Sequence, residues 1–474
     1  MEKFKKIIRE NYPILIIFLL ALVLRLYWLS PWLEDWDSVQ FALAMHNFDI
    51  SINQPHAPGY FLYILMGKFL LSLLKNDTLS LTLLSSILGS LSVIPFFLLV
   101  KKLFKNKNLA IISSFLFIFI PIGWMMSEVA LTNMPGLFSL LVFTYLLFLY
   151  GRKNLPILSF LGGFILGIRF TEFPIIISLL SIFLIRDFRV KKIIYCFFAF
   201  TIGVCIWLIP TIYLTGSNEF VKSYKWIASY IISHDSFFGQ GIKSLNFFTN
   251  RLEKLFYLLK IAYSLQLLII VSISYLYIFL TRKNLKRYNF QFILVWTLSY
   301  FVPLIFIYNL EVPRYTLPLL PIFVIVASYP LVNLKNRSMS FVYRVVFVIT
   351  FFFLFQQGFS QLKRFRAQTP PTIAAVNYIK DNFSAKGTVI LASYTYRQFQ
   401  YYAPEFLSFY SENLTRENII QKDTVVIDYL GLKEKIPQFY KVEIVDSKEF
   451  LGDVDIYSRV PKVTLYILKL YENK

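Results

Sequence analysis

Apolar residues in this chain are gathered into long runs that are separated by short polar and basic stretches. Most runs have about 17 to 25 residues, the length with which an α-helix crosses a hydrocarbon core of about 30 Å. The pattern predicts a multi-pass α-helical membrane protein with about eleven membrane-spanning helices. We predict these spans at 13–29, 78–100, 109–126, 131–150, 155–168, 173–185, 193–215, 255–280, 290–308, 315–333 and 341–356.

We interpret the first apolar run as a membrane-spanning helix and not as a cleaved signal peptide. It follows four basic residues within 1–10 and ends in the aromatic residues Tyr27, Trp28 and Trp32. A cleaved signal peptide has a shorter apolar region and a small-residue exit. We therefore expect a retained first helix with an aromatic belt at the membrane interface.

Basic residues are distributed unevenly between the loops. If the N-terminus is cytoplasmic, the inner loops carry 20 Lys and Arg, whereas the longer outer loops carry 9. This asymmetry favours a cytoplasmic N-terminus. The apolar segment 58–74 would reverse the later loops if it crossed the membrane, so we predict that it lies as a helix on the outer interface.

From about residue 368 the pattern changes to that of a soluble α/β domain. A helical stripe at 372–383 is followed by short β-type runs at 388–392, 424–429, 442–445 and 463–468. The predicted domains are therefore a transmembrane domain, 1–356, with a first outer loop at 30–77, and a C-terminal domain, 357–474. An odd number of crossings places the C-terminal domain outside.

Composition excludes several other classes of protein. The chain has 57% hydrophobic residues, against roughly 45 to 50% in soluble domains. The net charge of +21 comes from residues that punctuate the apolar runs, whereas binding to nucleic acid needs them on one folded face. The two cysteines share one apolar run, so they support neither a disulfide framework nor a metal site.

The first outer loop carries three carboxylates within four residues: Glu34, Asp35 and Asp37. Tryptophans flank them at the membrane interface, where a low dielectric raises carboxylate basicity. They are candidates for a general base. The alternative is a solvated acidic turn that caps the helix beginning near Ser38.

The pair Asp35 and Asp37 also matches the DxD pattern with which many sugar transferases hold a divalent metal. The pair Asp453 and Asp455 matches it as well. Nucleotide sugars, the usual metal-bridged donors, are absent outside the cell, which disfavours this interpretation. No cofactor is required, and metal dependence stays open.

Three cationic positions are candidates for binding a phosphate. His56 lies on a rigid backbone between two prolines. Arg314 lies where the chain is predicted to re-enter the membrane from outside, and Arg169 lies at the outer end of the predicted span 155–168. A guanidinium at a partly dry interface calls for an anion such as phosphate. The alternatives are a hydrogen-bonded turn histidine for His56, an ion pair with Glu311 or snorkelling to lipid headgroups for Arg314, and an ion pair with Glu172 for Arg169.

The order of these motifs over roughly residues 12 to 330 resembles the GT-C membrane glycosyltransferases, in particular the family 39 group of protein O-mannosyltransferases and the aminoarabinose transferase of lipid A. Asp37 falls on the Asp-Glu pair of that group, with Ser38 in the second position. The segment His56-Ala57-Pro58-Gly59 resembles its His-Pro-Pro-Leu-Gly motif. The segment 314–321 resembles its late phosphate-contacting motif, with Arg314, Tyr315, Pro318 and Pro321.

The resemblance implies an inverting glycosyltransferase that acts at the outer face of the cytoplasmic membrane. Its donor would be a hexose or pentose on a polyprenyl phosphate, and its acceptor a lipid, a glycan or a protein. Asp37 would be the base, acting alone or with Asp35 or Glu34. Donor phosphate would be bound by Arg314, Tyr315, His56, Lys68 and Arg169.

Two other classes of function remain as alternatives. A secondary transporter or a flippase of lipid-linked sugars would also have many spans and charges within the membrane, but it would have repeated halves with interrupted helices. No such repeat is evident in the sequence. A non-catalytic anchor for the outer domain would not need the acidic first loop.

Overall fold

The structure is a computed structural model that describes residues 2–237, 239, 245–282, 286–410, 415–419, 422–438, 440–452 and 460–472. The chain divides into two compact units. The first unit comprises Met1–Ser30 and Ala44–Ser360, and the second comprises Pro31–Leu43 and Gln361–Lys474.

The first unit is helical. Its helices, with the two that continue into the second unit, are α1 (Glu2–Tyr27), α2 (Trp36–His46), α3 (Phe61–Leu74), α4 (Asp77–Leu91), α5 (Val93–Phe104), α6 (Lys107–Phe119), α7 (Pro121–Met125), α8 (Asn133–Ile165), α9 (Phe173–Arg186), α10 (Val190–Thr215), α11 (Ser217–Tyr230), α12 (Leu245–Tyr263), α13 (Leu265–Leu280), α14 (Arg287–Phe306), α15 (Leu320–Asn333) and α16 (Arg337–Ala367). The predicted fold class, a multi-pass helical membrane protein with a small C-terminal sheet domain, is confirmed.

By length and composition, six helical segments in the described part of the chain are long and apolar enough to cross a membrane. A seventh crossing results if one bent helix pair, α12 and α13, is counted as a single span. Shorter apolar helices cover Tyr12–Tyr27, Phe61–Leu74 and Lys107–Phe119. The total of about eleven crossings, the orientation and the interfacial position of α3 stay predictions.

Helix α8 consists of two arms that meet at a kink. Asn154 has non-helical backbone angles (φ −122°, ψ 36°), and it lies in the predicted loop between the spans 131–150 and 155–168. A Cβ on Gly162 of the second arm would lie 3.3 Å from Phe143 of the first arm. The second arm therefore returns along the first and brings the end of α8 back toward its beginning.

The predicted span 255–280 is broken in the structure. Helices α12 and α13 meet at an angle of 106°. Ser264 lies between them with φ 64°, and its side chain accepts a hydrogen bond from Leu267 N at 3.4 Å. This serine caps a new helix, which is why one apolar run forms two helices.

The second unit has a five-stranded sheet in the order β2-β1-β3-β5-β4. Its strands are β1 (Thr388–Ala392), β2 (Leu407–Tyr410), β3 (Thr424–Ile427), β4 (Tyr440–Leu451) and β5 (Lys462–Glu472), and its helices are α17 (Pro371–Asn382), α18 (Tyr396–Tyr402) and α19 (Arg416–Ile419). Strand β1 pairs in parallel with β2 and β3, whereas β5 pairs antiparallel with β3 and β4.

Both faces of the central strands are buried. Ile390 and Val426 pack with Ile379 of α17 and Phe399 of α18 on one face. Val389 packs on the opposite face, in a cluster with Val425, Ile427, Ile419 and Leu432. Alternate residues of a strand point to opposite faces, so the short, mainly apolar strands β1 and β3 are typical of a sheet covered on both sides.

Candidate active site

Arg169 is buried beside the first residues of α8. Its Nη1 donates a hydrogen bond to Thr132 Oγ1 at 2.7 Å, and only 6% of the residue is exposed. A Cβ on Gly136, one turn into α8, would lie 2.7 Å from Arg169 Cδ. Glycine therefore lets the arginine stem pack directly against the helix.

Glu172 lies next to Arg169 and is itself buried. Its Oε1 is 3.7 Å from Arg169 Nε, and neither carboxylate oxygen accepts a hydrogen bond from the part of the chain that the structure describes. Burial raises the pKa of Glu172 to about 7, although the positive charge of Arg169 opposes the rise. Arg169 thus has the internal partner that the sequence offers, but at a distance too long for a hydrogen bond.

Arg314 and Tyr315 lie in a 3₁₀ helix, Pro313–Leu319, whose backbone carbonyls accept side-chain hydrogen bonds. Asn133 Nδ2 donates to Arg314 O at 3.2 Å, and the hydroxyl of Tyr300 donates to Tyr315 O at 2.7 Å. Further donors are Tyr263 Oη to Thr316 O and Trp296 Nε1 to Pro318 O. Prolines in this segment have no backbone N–H to donate, and buried side chains of Asn133, Tyr300, Tyr263 and Trp296 satisfy these four carbonyls.

A tyrosine links the two arginine segments. The ring of Tyr308 stacks on Tyr315 with centroids 5.5 Å apart, and its hydroxyl donates to Thr171 O at 3.2 Å. Thr171 lies between Arg169 and Glu172 in the chain. The structure therefore brings the segments of Arg169, Arg314 and Tyr315 together at the beginning of α8.

The His56 loop approaches the same part of the first unit. Leu62 N, at the beginning of α3, donates to Gly167 O at 3.0 Å, two residues before Arg169. Within the loop, His56 Nε2 and the hydroxyl of Tyr60 are hydrogen-bonded at 3.1 Å. The bond fits the alternative of a turn histidine, and the Leu62 contact places the beginning of α3 beside the segment of Arg169.

Lys68 is exposed on α3. Among the described residues, no hydrogen bond or ion pair joins it to the arginine segments. The same helix has a face toward an apolar groove with a volume of about 400 Å³, whose lining, Leu65, Met66, Phe69, Leu70, Leu84 and Ile87, does not include Lys68. The groove lies between α3 and α4.

The three acidic candidates belong to the second unit. Asp35 precedes α2, and its Oδ1 accepts a hydrogen bond from Asp37 N at 2.9 Å. Asp35 is 6% exposed, whereas Glu34 and Asp37 are half-buried. Asp35 therefore caps α2, as the alternative interpretation describes, but α2 begins at Trp36 and not near Ser38, and Asp35 is buried and not solvated.

The sequence does not single out some of the residues that contact the arginine segments. Thr132 and Asn133 contact the two arginine segments, and Tyr308 joins them, yet each is an ordinary polar residue at the end of an apolar run. Only their position at the predicted outer end of a span, opposite Arg169, could have indicated them. Side-chain packing across distant segments is not encoded in a local pattern.

The described residues contain no cluster of side chains that could bind a metal ion. No group of three His, Cys, Asp or Glu side chains is arranged to hold an ion there. The second DxD match, 453–455, lies outside the described residues. Metal dependence stays an open prediction.

The chain is similar to solved structures of membrane transferases. It aligns with an archaeal oligosaccharyltransferase AglB from Archaeoglobus fulgidus, in complex with an inhibitory peptide and a dolichol-phosphate, with a TM-score of 0.51, 11% identity and coverage of 89% of this chain and 70% of that chain. It aligns with ArnT from Cupriavidus metallidurans bound to undecaprenyl phosphate with a TM-score of 0.55 and 11% identity, and with its apo state with 0.55 and 10%. Both ArnT alignments cover 98% of each chain.

No protein-family model matches the chain, and no curated protein sequence matches it. The likeness found by comparison therefore concerns three-dimensional structure, at identities of 10 to 11%. Nearly the whole chain takes part in the ArnT alignments, including the C-terminal sheet unit. The protein is a multi-pass membrane protein with the fold of the GT-C glycosyltransferases.

Proposed function

We propose that this protein is a glycosyltransferase that moves a hexose or pentose from a polyprenyl phosphate to a lipid, glycan or protein acceptor. The reaction takes place at the outer face of the cytoplasmic membrane and inverts the anomeric centre. The observation that carries the proposal is the pair of buried arginine segments held together at the beginning of α8 in a fold shared with solved transferases.

Buried guanidinium groups fit a phosphate ligand. Arg169 and Arg314 are 6% and 4% exposed, and a guanidinium in a largely dry site attracts an anion. Arginine offers planar, bidentate geometry to phosphate oxygens. ArnT has been solved with undecaprenyl phosphate and AglB with a dolichol-phosphate, so lipid phosphates are known ligands of proteins with this fold.

The carrier lipid needs an apolar surface as well as cations. The groove between α3 and α4 is lined by apolar side chains, and the exposed Lys68 lies on the same helix, α3. A prenyl chain in this groove would keep apolar contacts like those it has in the bilayer, because lipid tails are as apolar as these side chains. Lys68 would then contribute to binding of the donor phosphate.

In the proposed reaction, Asp37 removes the proton from an acceptor hydroxyl. The acceptor oxygen attacks the anomeric carbon while the bond between that carbon and the phosphate oxygen breaks. The bonding electrons leave with the phosphate, so the products are the glycoside and the polyprenyl phosphate. Arg314, Arg169, His56 and Tyr315 stabilise the negative charge on the leaving phosphate.

The proposal is tested by comparing the cell-envelope glycans of cells with and without the gene by mass spectrometry. We expect loss of one sugar from an envelope component and accumulation of its polyprenyl phosphate donor. Purified protein should also consume a labelled lipid-linked sugar and release the polyprenyl phosphate. Unchanged glycans would contradict the proposal, and movement of an intact lipid-linked sugar between leaflets without its consumption would favour the transporter alternative.

A further inference from the structure

We propose that Gln398 and Tyr402, on helix α18 of the second unit, are positioning residues for Asp37. The proposal rests on the proposed function, in which Asp37 is the base. The second unit would then contribute to catalysis, because it would fix the position of the Asp37 carboxylate. All of the contacts that carry it lie within the second unit.

Two side chains of α18 hold consecutive residues of the acidic loop. Leu33 N donates to the hydroxyl oxygen of Tyr402 at 2.8 Å. Gln398 Nε2 donates to Glu34 O at 2.6 Å. Gln398 is 1% exposed, so its amide is committed to the interior. These bonds fix the peptide backbone immediately before the carboxylates.

The backbone after this point is fixed as well. Asp35 accepts from Asp37 N through its side chain, and its carbonyl accepts from Ser38 Oγ at 2.6 Å and from Val39 N at 3.2 Å. The first turn of α2 therefore follows Asp35, and the two residues before Asp35, Leu33 and Glu34, are hydrogen-bonded to α18. A shift of that segment would be transmitted to Asp37.

Trp36 adds a packing contact at the same place. Its ring lies 5.3 Å from the ring of Tyr410 and 6.2 Å from that of Tyr396, measured between centroids. The guanidinium of Arg397 lies over the rings of Trp36 and Tyr396, at 5.7 and 5.3 Å. The residue directly before Asp37 is thus packed against β2 and α18.

Helix α18 is itself anchored to the sheet. Asp428, which follows β3, accepts hydrogen bonds from the backbone N–H groups of Ser393, Tyr394 and Thr395 at 2.6 to 2.8 Å. This turn leads from β1 directly into α18. The connection therefore runs from the sheet through Asp428 and α18 to the acidic loop, without a flexible link among these contacts.

Precise placement of a base has a large effect on rate, because reacting atoms must be held close to their reaction geometry. Neither Gln398 nor Tyr402 needs to touch the substrate for this effect. Loss of either bond should slow the transfer step and leave binding of the donor unchanged.

The test uses Tyr402→Phe, which removes the accepting hydroxyl, and Gln398→Met, which keeps the side-chain volume and removes the donor. The matched control is Tyr466→Phe, a half-buried tyrosine on β5. The full-length proteins are purified, and their rate of consumption of a labelled polyprenyl phosphate sugar and their binding of undecaprenyl phosphate are measured. Thermal unfolding is recorded for each.

We expect about a tenfold loss of rate in each test variant, with undecaprenyl phosphate binding and the unfolding midpoint equal to those of the control. The double variant should lose little more than either single one, because both bonds hold one loop. A rate equal to that of the control in both variants, while Asp37→Asn is inactive, overturns the positioning role and leaves the proposed function intact. An active Asp37→Asn overturns both. If Tyr402→Phe does not fold, the rate of Gln398→Met decides.

Discussion

The guanidinium of Arg169 donates a 2.7 Å hydrogen bond to the hydroxyl of Thr132, a residue 37 positions earlier in the chain. The next residue, Asn133, donates to the carbonyl of Arg314. The beginning of α8 therefore holds two basic segments that are far apart in sequence. The kink at Asn154 makes this possible, because it returns the second arm of α8 to the level of the first.

We predict that Arg314→Gln weakens binding of undecaprenyl phosphate by about 10- to 100-fold, because hydrogen bonds to a charged group contribute about 1.5 to 3 kcal/mol. Binding can be measured by titration of the purified protein. Arg344→Gln is the matched control, since Arg344 is exposed on α16. Equal affinities of the two variants would contradict a phosphate contact by Arg314.

Gly136→Ala tests whether the packing of Arg169 matters. The new Cβ would lie 2.7 and 2.8 Å from Arg169 side-chain carbons and 3.2 Å from Glu172 Oε1. We expect a loss of about 1 to 3 kcal/mol in the free energy of unfolding and weaker donor binding. Gly358→Ala is a milder control, because its nearest neighbour would be Trp124 at 3.3 Å. Donor binding as tight as in this control would show that displacement of Arg169 has no consequence.

The buried carboxyl of Glu172 predicts a dependence of stability on pH. Its pKa in the fold is raised to about 7, so between the ordinary carboxyl pKa and about 7 the folded state binds more protons than the unfolded state. Stability should therefore fall as pH rises through this window and level off above it. Unfolding midpoints of the wild type and Glu172→Gln should differ in slope there, with a flatter profile for Glu172→Gln. Parallel profiles would contradict the raised pKa.

Asp428→Asn should loosen the turn that leads into α18. An amide in this place cannot accept from all of the N–H groups of 393–395, and each unsatisfied buried donor costs about 1 to 3 kcal/mol. We expect faster hydrogen–deuterium exchange at residues 393–402. Asp446→Asn is the control, because Asp446 is exposed and bonds only to Ser447 N among the described contacts. Equal exchange in both variants would contradict the anchoring role.

Much of the fold could be predicted from the sequence, because period and composition report directly on burial. Strand β1 begins and ends where the apolar run 388–392 does, and the Gly151–Asn154 loop falls at the kink of α8. The strand β2 was missed, since Leu407–Tyr410 has exposed outer residues and no clear alternation. The break at Ser264 was missed because one serine within an apolar run carries no strong signal by itself.

The candidate site was predicted only in part. Arg169 and Arg314 could be selected because a guanidinium within apolar sequence must have a reason to be buried. The assignment of 31–43 to the second unit differs from the predicted domain boundaries, in which the first outer loop belongs to 1–356. Contacts of the loop with Gln398 and Tyr402 span more than 360 residues, and no local pattern reports on such a distance.

The central claim is that Asp37 activates the acceptor for transfer of a sugar from a lipid phosphate. The most direct measurement compares wild type and Asp37→Asn, as purified proteins, for turnover of a labelled polyprenyl phosphate sugar and for binding of undecaprenyl phosphate. The account predicts that Asp37→Asn loses at least about 100-fold in turnover, as expected for removal of a general base, while binding is unchanged. Turnover near that of the wild type would contradict it.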